Sequence, residues 1–323
     1  MLRGSETIAI VVLALAVDAL IGDPDLLWRR LPHPVALMGS AIHLLDRALN
    51  REQWSAAERK AAGCVATGLL VAICAALGLL LESVLGQTLL GQLAQGLVAS
   101  MLIAQRSLYQ HVGRVLSAFT DGGLAEARRA VSMIVGRDPE QLDTSGVSRA
   151  AIESCAENFS DGVVAPVFWL ALFGLPGLLV YKVVNTADSM IGHRSPRHEC
   201  FGWAAARFDD LLNLAPARLA AVLLAVVAPI AGGSVANALK VTWRDASKHR
   251  SPNAGWPEGA MAGALGLALA GPRRYGDRVV DDPFLNAGAR MDAGPADIRR
   301  ALNLLIAACL LEAAIYAALA LVV

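Results

Sequence analysis

The stretch GVVAPVFWLALFGLPGLLVY, residues 162–181, decides the fold because it is an uncharged run of membrane-spanning length that contains a helix breaker. About 20 apolar residues in a helix cross the hydrocarbon core of a bilayer. Gly174-Leu175-Pro176-Gly177 lies near the middle of this run. Proline removes a backbone donor, and glycine tolerates unusual backbone angles. The stretch therefore predicts two half-helices that meet at residues 174–177.

Further uncharged runs on both sides of this stretch indicate a membrane protein. The chain has 323 residues, is 55% hydrophobic and 17% charged, and has a mean hydropathy of +0.50. Soluble domains carry about 25% charged residues, so this composition argues against an ordinary soluble protein. The other uncharged runs near or within reach of spanning length are 61–81, 83–105, 219–239 and 301–311.

The distribution of positive charge predicts the topology. Cytoplasmic loops of membrane proteins carry an excess of Lys and Arg. The short link 86–92 has neither, so 61–105 is predicted as two spans joined by an outside turn. If the basic segments 106–161 and 182–214 are both cytoplasmic, the run between them cannot cross once. Of the 28 Lys and Arg residues, 26 lie in 23–60, 106–161, 182–214, 240–257 and 273–300.

Broken backbone at membrane depth is tolerated only inside protein or beside a water-filled cavity. We therefore predict an all-α, polytopic integral membrane protein with cytoplasmic helical loops, folded as a single membrane-embedded domain over 1–323. The alternative is that Gly and Pro are simply tolerated in spanning helices and that some basic loops lie outside. The predicted spans lie near 5–22, 61–82, 83–105 and 300–323, and the predicted re-entrant or broken segments near 162–181, 219–239 and 259–272.

Composition and motifs exclude several functions. The formal net charge is zero and no basic block with interleaved aromatic residues occurs, so nucleic-acid binding has no support. The five cysteines are scattered, with neither a disulfide framework nor a zinc spacing. No GxxxxGK[ST] or GxGxxG pattern is present, so a bound nucleotide would be held without those glycine-rich loops.

An acidic motif comes immediately before the stretch quoted first. In ESCAENFSDG, residues 153–162, the carboxylates of Glu153, Glu157 and Asp161 are four residues apart. Side chains at that spacing share one face of a helix, and like charges there destabilise it. We interpret the column as neutralised by a divalent cation and basic partners. The alternative without a functional role is that the three side chains are solvated or helix-capping carboxylates at a membrane interface.

Three more polar clusters border the other apolar runs. In 182–193 one helical face can carry Lys182, Asn185, Asp188 and Ser189. In 201–219 Arg207 is expected to face Asp210, and Asp209 to face Asn213, with a helix break at Pro216 before Arg218. In 251–263 Asn253 and Glu258 lie among turn-forming residues. Carboxylates and amides suit Mg²⁺, and Lys and Arg suit phosphates.

Five motifs together resemble the adenosylcobinamide-phosphate synthase family, the integral membrane CobD/CbiB proteins of cobalamin biosynthesis. The resemblance extends over most of the chain and is least distinctive at 106–150 and 273–323. The motifs, in chain order, are GDP with PHPVALMG (22–24 and 32–39), ESCAENFSDGVVAP (153–166), YKVVNTADSMIG (181–192), FGWAAARFDDLLNLAPARL (201–219) and SPNAGWPEGAMAGALG (251–266).

The resemblance implies an ATP- and Mg²⁺-dependent amide ligation in the cytoplasmic membrane, with the active site on the cytoplasmic side. Adenosylcobyric acid would be joined to (R)-1-aminopropan-2-ol or its O-phosphate, giving adenosylcobinamide or its phosphate. The implied partners are this corrinoid, the amine, ATP, membrane lipid and other cobalamin-biosynthesis enzymes. The oligomeric state, the released nucleotide and the phosphorylation of the amine are left open.

The resemblance also implies site residues. Glu153, Glu157 and Asp161 are the first choice for metal coordination. The second candidates for metal or base are Asp188, Asp209 and Asp210. Phosphate contacts are expected from Lys182, Arg207 and Arg218, phosphate or amine contacts from Asn158 and Ser160, and corrinoid hydrogen bonds from Asn185, Thr186, Ser189, Asn213, Ser251 and Asn253, with Glu258 as a further substrate contact.

The chain departs from the family pattern at two positions. His193 stands where an aromatic residue is expected, and Trp256 stands where a tyrosine is more familiar. Both retain a ring, so the implied reaction class is unchanged. Two other functions compete with a ligase. One is a secondary transporter or channel, because transporters also build ion sites from broken helices; the other is a non-catalytic membrane anchor or sensor.

Overall fold

The structure is a computed structural model that describes residues 4–23, 28, 30–135, 139–275 and 278–322. Pro24 of the GDP motif lies outside these residues. Over this part of the chain the fold is mostly helical, as predicted. The α-helices are α1 (Ser5–Leu20), α2 (Pro34–Leu49), α3 (Ala56–Leu85), α4 (Leu89–Ser100), α5 (Gln105–Asp121), α6 (Gly123–Ser132), α7 (Thr144–Phe159), α8 (Ala165–Ile191), α9 (Trp203–Leu212), α10 (Leu214–Val226), α11 (Val235–Asp245), α12 (Gly255–Leu265) and α13 (Pro295–Val322).

Shorter elements connect these helices. A π-helical turn covers Ser160–Val164, and 3₁₀ turns cover Ala228–Ala231 and Ala246–Lys248. Four strands of two or three residues pair as β1 with β4 and β2 with β3, both antiparallel. The all-α prediction misses these strands because such short segments show no alternating pattern. The strands are β1 (Leu269–Ala270), β2 (Arg273–Tyr275), β3 (Arg278–Val280) and β4 (Phe284–Leu285).

Within the described ranges, three helical segments are long and apolar enough to cross a membrane: Ala56–Leu85, Thr144–Ile191 and Pro295–Val322. The second contains the uncharged stretch 162–181. The predicted spans near 5–22 and 83–105 contain the shorter helices α1 and α4. Which segments cross, dip or lie along a membrane stays a prediction.

The chain divides into two compact units. The first unit comprises Met1–Ala104, Ala165–Asn213 and Ile315–Val323, and the second comprises Gln105–Val164 and Leu214–Ala314. In the first unit α3 packs against α8, and α1 packs against α4. In the second unit α12 packs against α11, α10 and α7. Because α12 is rich in Gly and Ala, it is buried along its whole length except at Trp256.

The break in α8 occurs where the sequence predicts it. Gly174 has φ +68° and ψ −153°, a conformation that interrupts the helix and favours glycine. The carboxylate of Glu82 on α3 accepts a hydrogen bond from the Leu175 backbone nitrogen at 3.0 Å. This contact places a negative charge at the start of the second half-helix, where the helix dipole favours it.

Helix α3 approaches the break closely because it presents a glycine there. A Cβ atom on Gly78 would lie 2.5 Å from the Cα and N atoms of Pro176. Real Cβ contacts are longer than that, so any side chain at position 78 would push α3 away from the break. The close approach lets the carboxylate of Glu82 reach Leu175.

The second predicted break is also present. Helix α10 ends at Val226, a 3₁₀ turn contains Pro229, and Gly232 has a left-handed backbone before α11 begins. The region 259–272, predicted as an interfacial or re-entrant piece, forms the end of α12 and the strand β1. The break expected at Pro216 falls instead at Asn213, because proline is tolerated in the first turn of α10.

A buried carboxylate fixes the loop that leads into α9. Asp46 is 5% exposed and accepts hydrogen bonds from Arg197 at 2.9 Å and from Asn50 at 2.8 Å. The amide of Asn50 also donates to the Arg197 carbonyl at 2.9 Å. Helix α2 thereby holds the segment that precedes the FGWAAARFDD motif.

This network predicts a pH dependence of stability. Burial alone would raise the pKa of Asp46, but the hydrogen bonds from Asn50 and Arg197 hold it below the ordinary value of 3.8. A lowered carboxyl pKa stabilises the fold above the unfolded pKa, and this stabilisation is lost as the pH falls. We expect the melting midpoint of the wild type in detergent to exceed that of Asp46→Asn above about pH 5, and the difference to shrink below about pH 4. An equal difference at every pH would contradict the ion pair.

Candidate polar site

The predicted site residues fall into two groups, one in each unit, and each group is described by itself. The first-unit group is Lys182, Asn185, Thr186, Asp188, Ser189, Arg207, Asp209, Asp210 and Asn213. The second-unit group is Glu153, Glu157, Asn158, Ser160, Asp161, Arg218, Ser251, Asn253 and Glu258.

Asp209 is the centre of the first-unit group. Its carboxylate is 8% exposed and accepts hydrogen bonds from Asn213 at 3.0 Å and from Asn185 at 3.2 Å. The hydroxyl of Tyr181 donates to the Asn213 side-chain oxygen at 3.0 Å. The contact between Asp209 and Asn213 confirms the spacing prediction, and α8 adds Asn185 and Tyr181 to it. The carboxylate is therefore fixed in position from two helices.

Negative charge accumulates around Asp209. Burial and then the charge of Asp188 raise the pKa of Asp209 to about 7. Burial also raises the pKa of Asp210, and the Arg207 guanidinium opposes this rise. Arg207 lies 3.0 Å from Asp210, as the spacing predicts. Because the carboxylates repel one another, a bound cation would stabilise their ionised forms.

The other first-unit residues bond within their own helix. The Thr186 hydroxyl donates to the Lys182 carbonyl at 2.7 Å, and the Ser189 hydroxyl donates to the Asn185 carbonyl at 3.0 Å. Lys182 is half-buried and Ser189 is exposed. Their predicted substrate contacts stay predictions.

The acidic column in the second unit is not uniform. Glu153 is 5% exposed, and its carboxylate accepts a hydrogen bond from the Ala270 nitrogen at 2.9 Å. Glu157 is exposed, and Asp161 is half-buried in the π-helical turn. The α-helical pattern continues to the end of α7, where the Ser160 nitrogen donates to the carbonyls of Ala156 and Glu157. Metal coordination by Glu153, Glu157 and Asp161 stays a prediction.

The π-helical turn also contains a buried hydroxyl. Ser160 is 1% exposed, and its Oγ atom has no hydrogen-bond partner in the described part of the chain. Buried polar atoms are nearly always hydrogen-bonded, and π turns often occur at functional sites. The Ser160 hydroxyl is thus suited to a ligand contact. The neighbouring Asn158 donates to the Ser154 carbonyl at 2.9 Å.

A second polar group in this unit surrounds Arg218. Its guanidinium donates to the Asn253 side chain at 3.2 Å and lies 4.4 Å from the ring centre of Trp256. The Ser251 hydroxyl accepts a hydrogen bond from the Asn253 nitrogen at 3.2 Å. The arrangement holds a cation over an aromatic face, next to a fixed amide. Arg218, Ser251 and Asn253 are therefore brought together in this unit, and their predicted substrate contacts stay predictions.

Glu258 lies in the first turn of α12 and is 1% exposed. The Nε2 atom of His249 lies 3.6 Å from its carboxylate. The sequence gives no signal for this histidine, because its six histidines are dispersed and form no recognisable pattern. Tyr181 was also missed as a site residue. Its spacing of four residues before Asn185 on one helix is the signal that could have identified it.

The side chains present could bind Mg²⁺ only if a substrate supplied further ligands. Across the ranges that the structure describes, no three His, Cys, Asp or Glu side chains are grouped to hold a metal ion. Mg²⁺ is usually bound through one or two carboxylates together with substrate phosphates. The mutually repelling carboxylates of Asp188 and Asp209 match that donor set.

The part of the chain that the structure describes has three helices long and apolar enough to span a bilayer, which is typical of helical membrane proteins. The family model for the CobD/CbiB protein matches residues 11–305. The chain therefore belongs to the CobD/CbiB family of cobalamin biosynthesis proteins.

Curated relatives agree with this family. Cobalamin biosynthesis protein CobD from Rhizobium meliloti (strain 1021) is 52% identical over 322 residues, covering 98% of both chains. The protein of that name from Sinorhizobium sp is 52% identical over 324 residues, covering 98% of this chain and 100% of the relative. That from Brucella suis biovar 1 (strain 1330) is 49% identical over 298 residues, covering 91% of each. No solved structure gives a significant match.

Proposed function

We propose that the protein is an ATP- and Mg²⁺-dependent ligase of the cytoplasmic membrane. It joins a propionate carboxylate of adenosylcobyric acid to the amine of (R)-1-aminopropan-2-ol or its O-phosphate. Family membership supports a step in cobalamin biosynthesis that acts on a corrinoid. The basic connections of the sequence support a site that opens to the cytoplasm.

The observation that carries the proposal is the carboxylate group around Asp209. Its ionised form is opposed by burial and by Asp188, and Asn185 and Asn213 hold it in position. Repulsion between buried carboxylates destabilises the fold unless a bound ligand offsets it. Carboxylates with strongly shifted pKa values are concentrated at functional sites. A Mg²⁺ ion would supply the missing positive charge, and a substrate phosphate would complete its ligands.

Residue roles in the first unit follow from charge. Bound ATP with Mg²⁺ supplies the phosphoryl group that turns an unreactive carboxylate into an acyl donor. Asp188 and Asp209 would hold the ion, while Lys182 and Arg207 would neutralise phosphate oxygens. A carboxylate whose pKa is about 7 can also accept the proton that the attacking amine must lose. Asp209 is therefore suited to either role.

In the second unit the roles follow from donors and acceptors. Glu153, Glu157 and Asp161 remain the proposed metal ligands of the acidic motif. Asn158 and the buried Ser160 hydroxyl would orient phosphate or amine. Arg218 would contact phosphate, and Glu258 would be a further substrate contact. Hydrogen bonds to the amide-rimmed corrinoid are proposed for Ser251 and Asn253 in this unit and for Asn185, Thr186, Ser189 and Asn213 in the first unit.

The direct test is turnover by the purified full-length protein in detergent. ATP, Mg²⁺, adenosylcobyric acid and aminopropanol or its phosphate are supplied, and amide product and released nucleotide are measured. Amide formation that requires both ATP and Mg²⁺ is expected. No product from folded protein would contradict the ligase and favour the transporter or sensor alternative. Supplying the two amines separately shows which one is preferred.

A substitution in the acidic motif tests the second-unit assignment. Glu157→Gln removes the charge at nearly constant shape, and Glu157 is exposed, so the fold should tolerate the change. We expect turnover to fall by more than about 10–100-fold, the loss found when only an outer-shell partner of a metal ligand is removed. Glu52→Gln is the matched control, because the Glu52 side chain is 83% exposed and lies outside the proposed site. Unchanged turnover in Glu157→Gln would remove Glu157 from the site.

A further inference from the structure

The break in α8 has a small cavity beside it. The cavity measures about 280 Å³ and lies in the first unit. Its walls are almost wholly apolar, and the aromatic rings of Trp169 and Phe173 stack with centres 5.7 Å apart on one side. The lining residues are Trp169, Phe173, Pro176, Gly177, Val180, Tyr181 and Leu212.

The polar atoms of the lining side chains are already engaged. The indole nitrogen of Trp169 donates to the Leu212 carbonyl at 3.1 Å, and the Tyr181 hydroxyl donates to Asn213 at 3.0 Å. A polar ligand would therefore lose its hydrogen bonds to water on entering and gain few in return. Apolar cavities of this kind stay free of water and accept apolar guests.

The volume of the cavity and its position in the fold indicate which kind of apolar ligand it binds. Pockets for drug-sized molecules run from about 300 to 1,000 Å³, so the cavity is too small for a corrinoid and suits a slender apolar group, such as a segment of a hydrocarbon chain. Its lining belongs largely to Thr144–Ile191, a segment apolar and long enough to cross a membrane. Phe173 at its edge is 52% exposed. An opening on such a helix faces hydrocarbon once the segment is in a bilayer.

We propose that this cavity is a binding site for one acyl chain of a membrane phospholipid, and that its occupancy supports the carboxylate site. Tyr181 forms part of the wall and reaches Asp209 through Asn213, by contacts of 3.0 Å each. A chain packed against the Tyr181 ring restricts the ring and, through Asn213, the position of Asp209. Tyr181 and Asn213 are then positioning residues. This second part rests on the proposed function; the binding itself does not.

Binding is tested by fluorescence quenching with a phospholipid that is brominated midway along its acyl chains. Delipidated full-length protein in detergent is titrated with this lipid. The Trp169 signal is isolated as the difference between the wild type and Trp169→Phe, since the chain has six tryptophans. Saturable quenching of that difference is expected. Quenching that rises only in proportion to the bulk lipid fraction would overturn the proposal.

A cavity-filling variant makes the test specific. Val180→Phe places a ring in the cavity, and we expect about tenfold more lipid to be needed for half-quenching of the Trp169 signal. Val222→Phe is the matched control, because Val222 is 48% exposed and does not line the cavity. Equal quenching of wild type and Val180→Phe would overturn the site. If Val180→Phe does not fold, a competition experiment on the wild type replaces it. Unbrominated lipid of the same chain length is added to protein already quenched by brominated lipid, and the Trp169 emission should recover. No recovery would overturn the site.

The effect of the lipid on activity is measured in an experiment separate from the quenching titration. If the carboxylate site is supported by the lipid, adding lipid to delipidated wild type should raise ligase turnover by about fivefold, and Val180→Phe should not respond. Saturable quenching without any amide product would contradict the proposed function alone. Amide formation at one rate with and without lipid, despite saturable quenching, would overturn the support of the carboxylate site and leave the acyl-chain site.

Discussion

Replacing Asp209 with asparagine is expected to lower ligase turnover by about 10²–10³-fold, the range found when a group that stabilises transition-state charge is removed. The carboxylate is buried, accepts hydrogen bonds from Asn185 and Asn213, and is repelled by Asp188. Asparagine keeps the shape and removes the negative charge that Mg²⁺ or the amine proton needs. It also turns an NH₂ group toward one of the two amide donors, so one hydrogen bond is lost.

The measurement is turnover at saturating substrates, together with the magnesium concentration that gives half-maximal rate. Size-exclusion profiles and helical circular dichroism must match those of the wild type, so that a loss of activity is not a loss of fold. Asp292→Asn is the matched control, because its side chain is 79% exposed at a distant point of the sequence. Wild-type turnover by Asp209→Asn would exclude Asp209 from both metal binding and proton transfer.

Gly78→Ala is expected to destabilise the first unit by about 2 kcal/mol or more, the cost of forcing extra volume into a packed interface. The added Cβ would meet the Pro176 backbone at 2.5 Å. Backbone cannot rotate away as a side chain does, so α3 must move from the break in α8. Such a movement would also lengthen the contact between Glu82 and the Leu175 nitrogen, which is 3.0 Å in the native structure.

The melting midpoint in detergent measures this effect, and Gly68→Ala is its control. Gly68 lies on the same helix, and a Cβ there meets nothing within 4 Å. Alanine is a better helix former than glycine by about 0.5–1 kcal/mol, so Gly68→Ala should leave the midpoint unchanged or raise it. Equal midpoints for the two variants would show that α3 does not need close contact at Pro176.

The sequence predicts those features that depend on local chemistry. The break at Gly174 follows from the backbone properties of glycine and proline. The pairs Arg207 with Asp210 and Asp209 with Asn213 follow from helical spacing, and both contacts are present. The helical class and the family follow from the apolar runs and the five motifs.

Features that depend on distant contacts could not be predicted. Asn185 meets Asp209 across 24 residues of sequence, and Glu153 meets the Ala270 nitrogen across 117. No local pattern specifies either pair. The π-helical turn at Ser160–Val164 could not be predicted either, because hydrophobic spacing does not distinguish a single π turn from an α-helix. The division of the site residues between two units also depends on contacts between distant parts of the sequence, so no local pattern predicts it.

The contact between Glu82 and Leu175 has a consequence for biosynthesis. An amide nitrogen left unsatisfied in hydrocarbon costs several kcal/mol, so if the break enters a bilayer, a half-helix beginning at Leu175 would insert poorly alone. Its acceptor is Glu82, which the ribosome adds to the chain 93 residues earlier. The growing chain therefore delivers the acceptor before the donor emerges, and the broken helix can leave the translocon against a partner that is already in place.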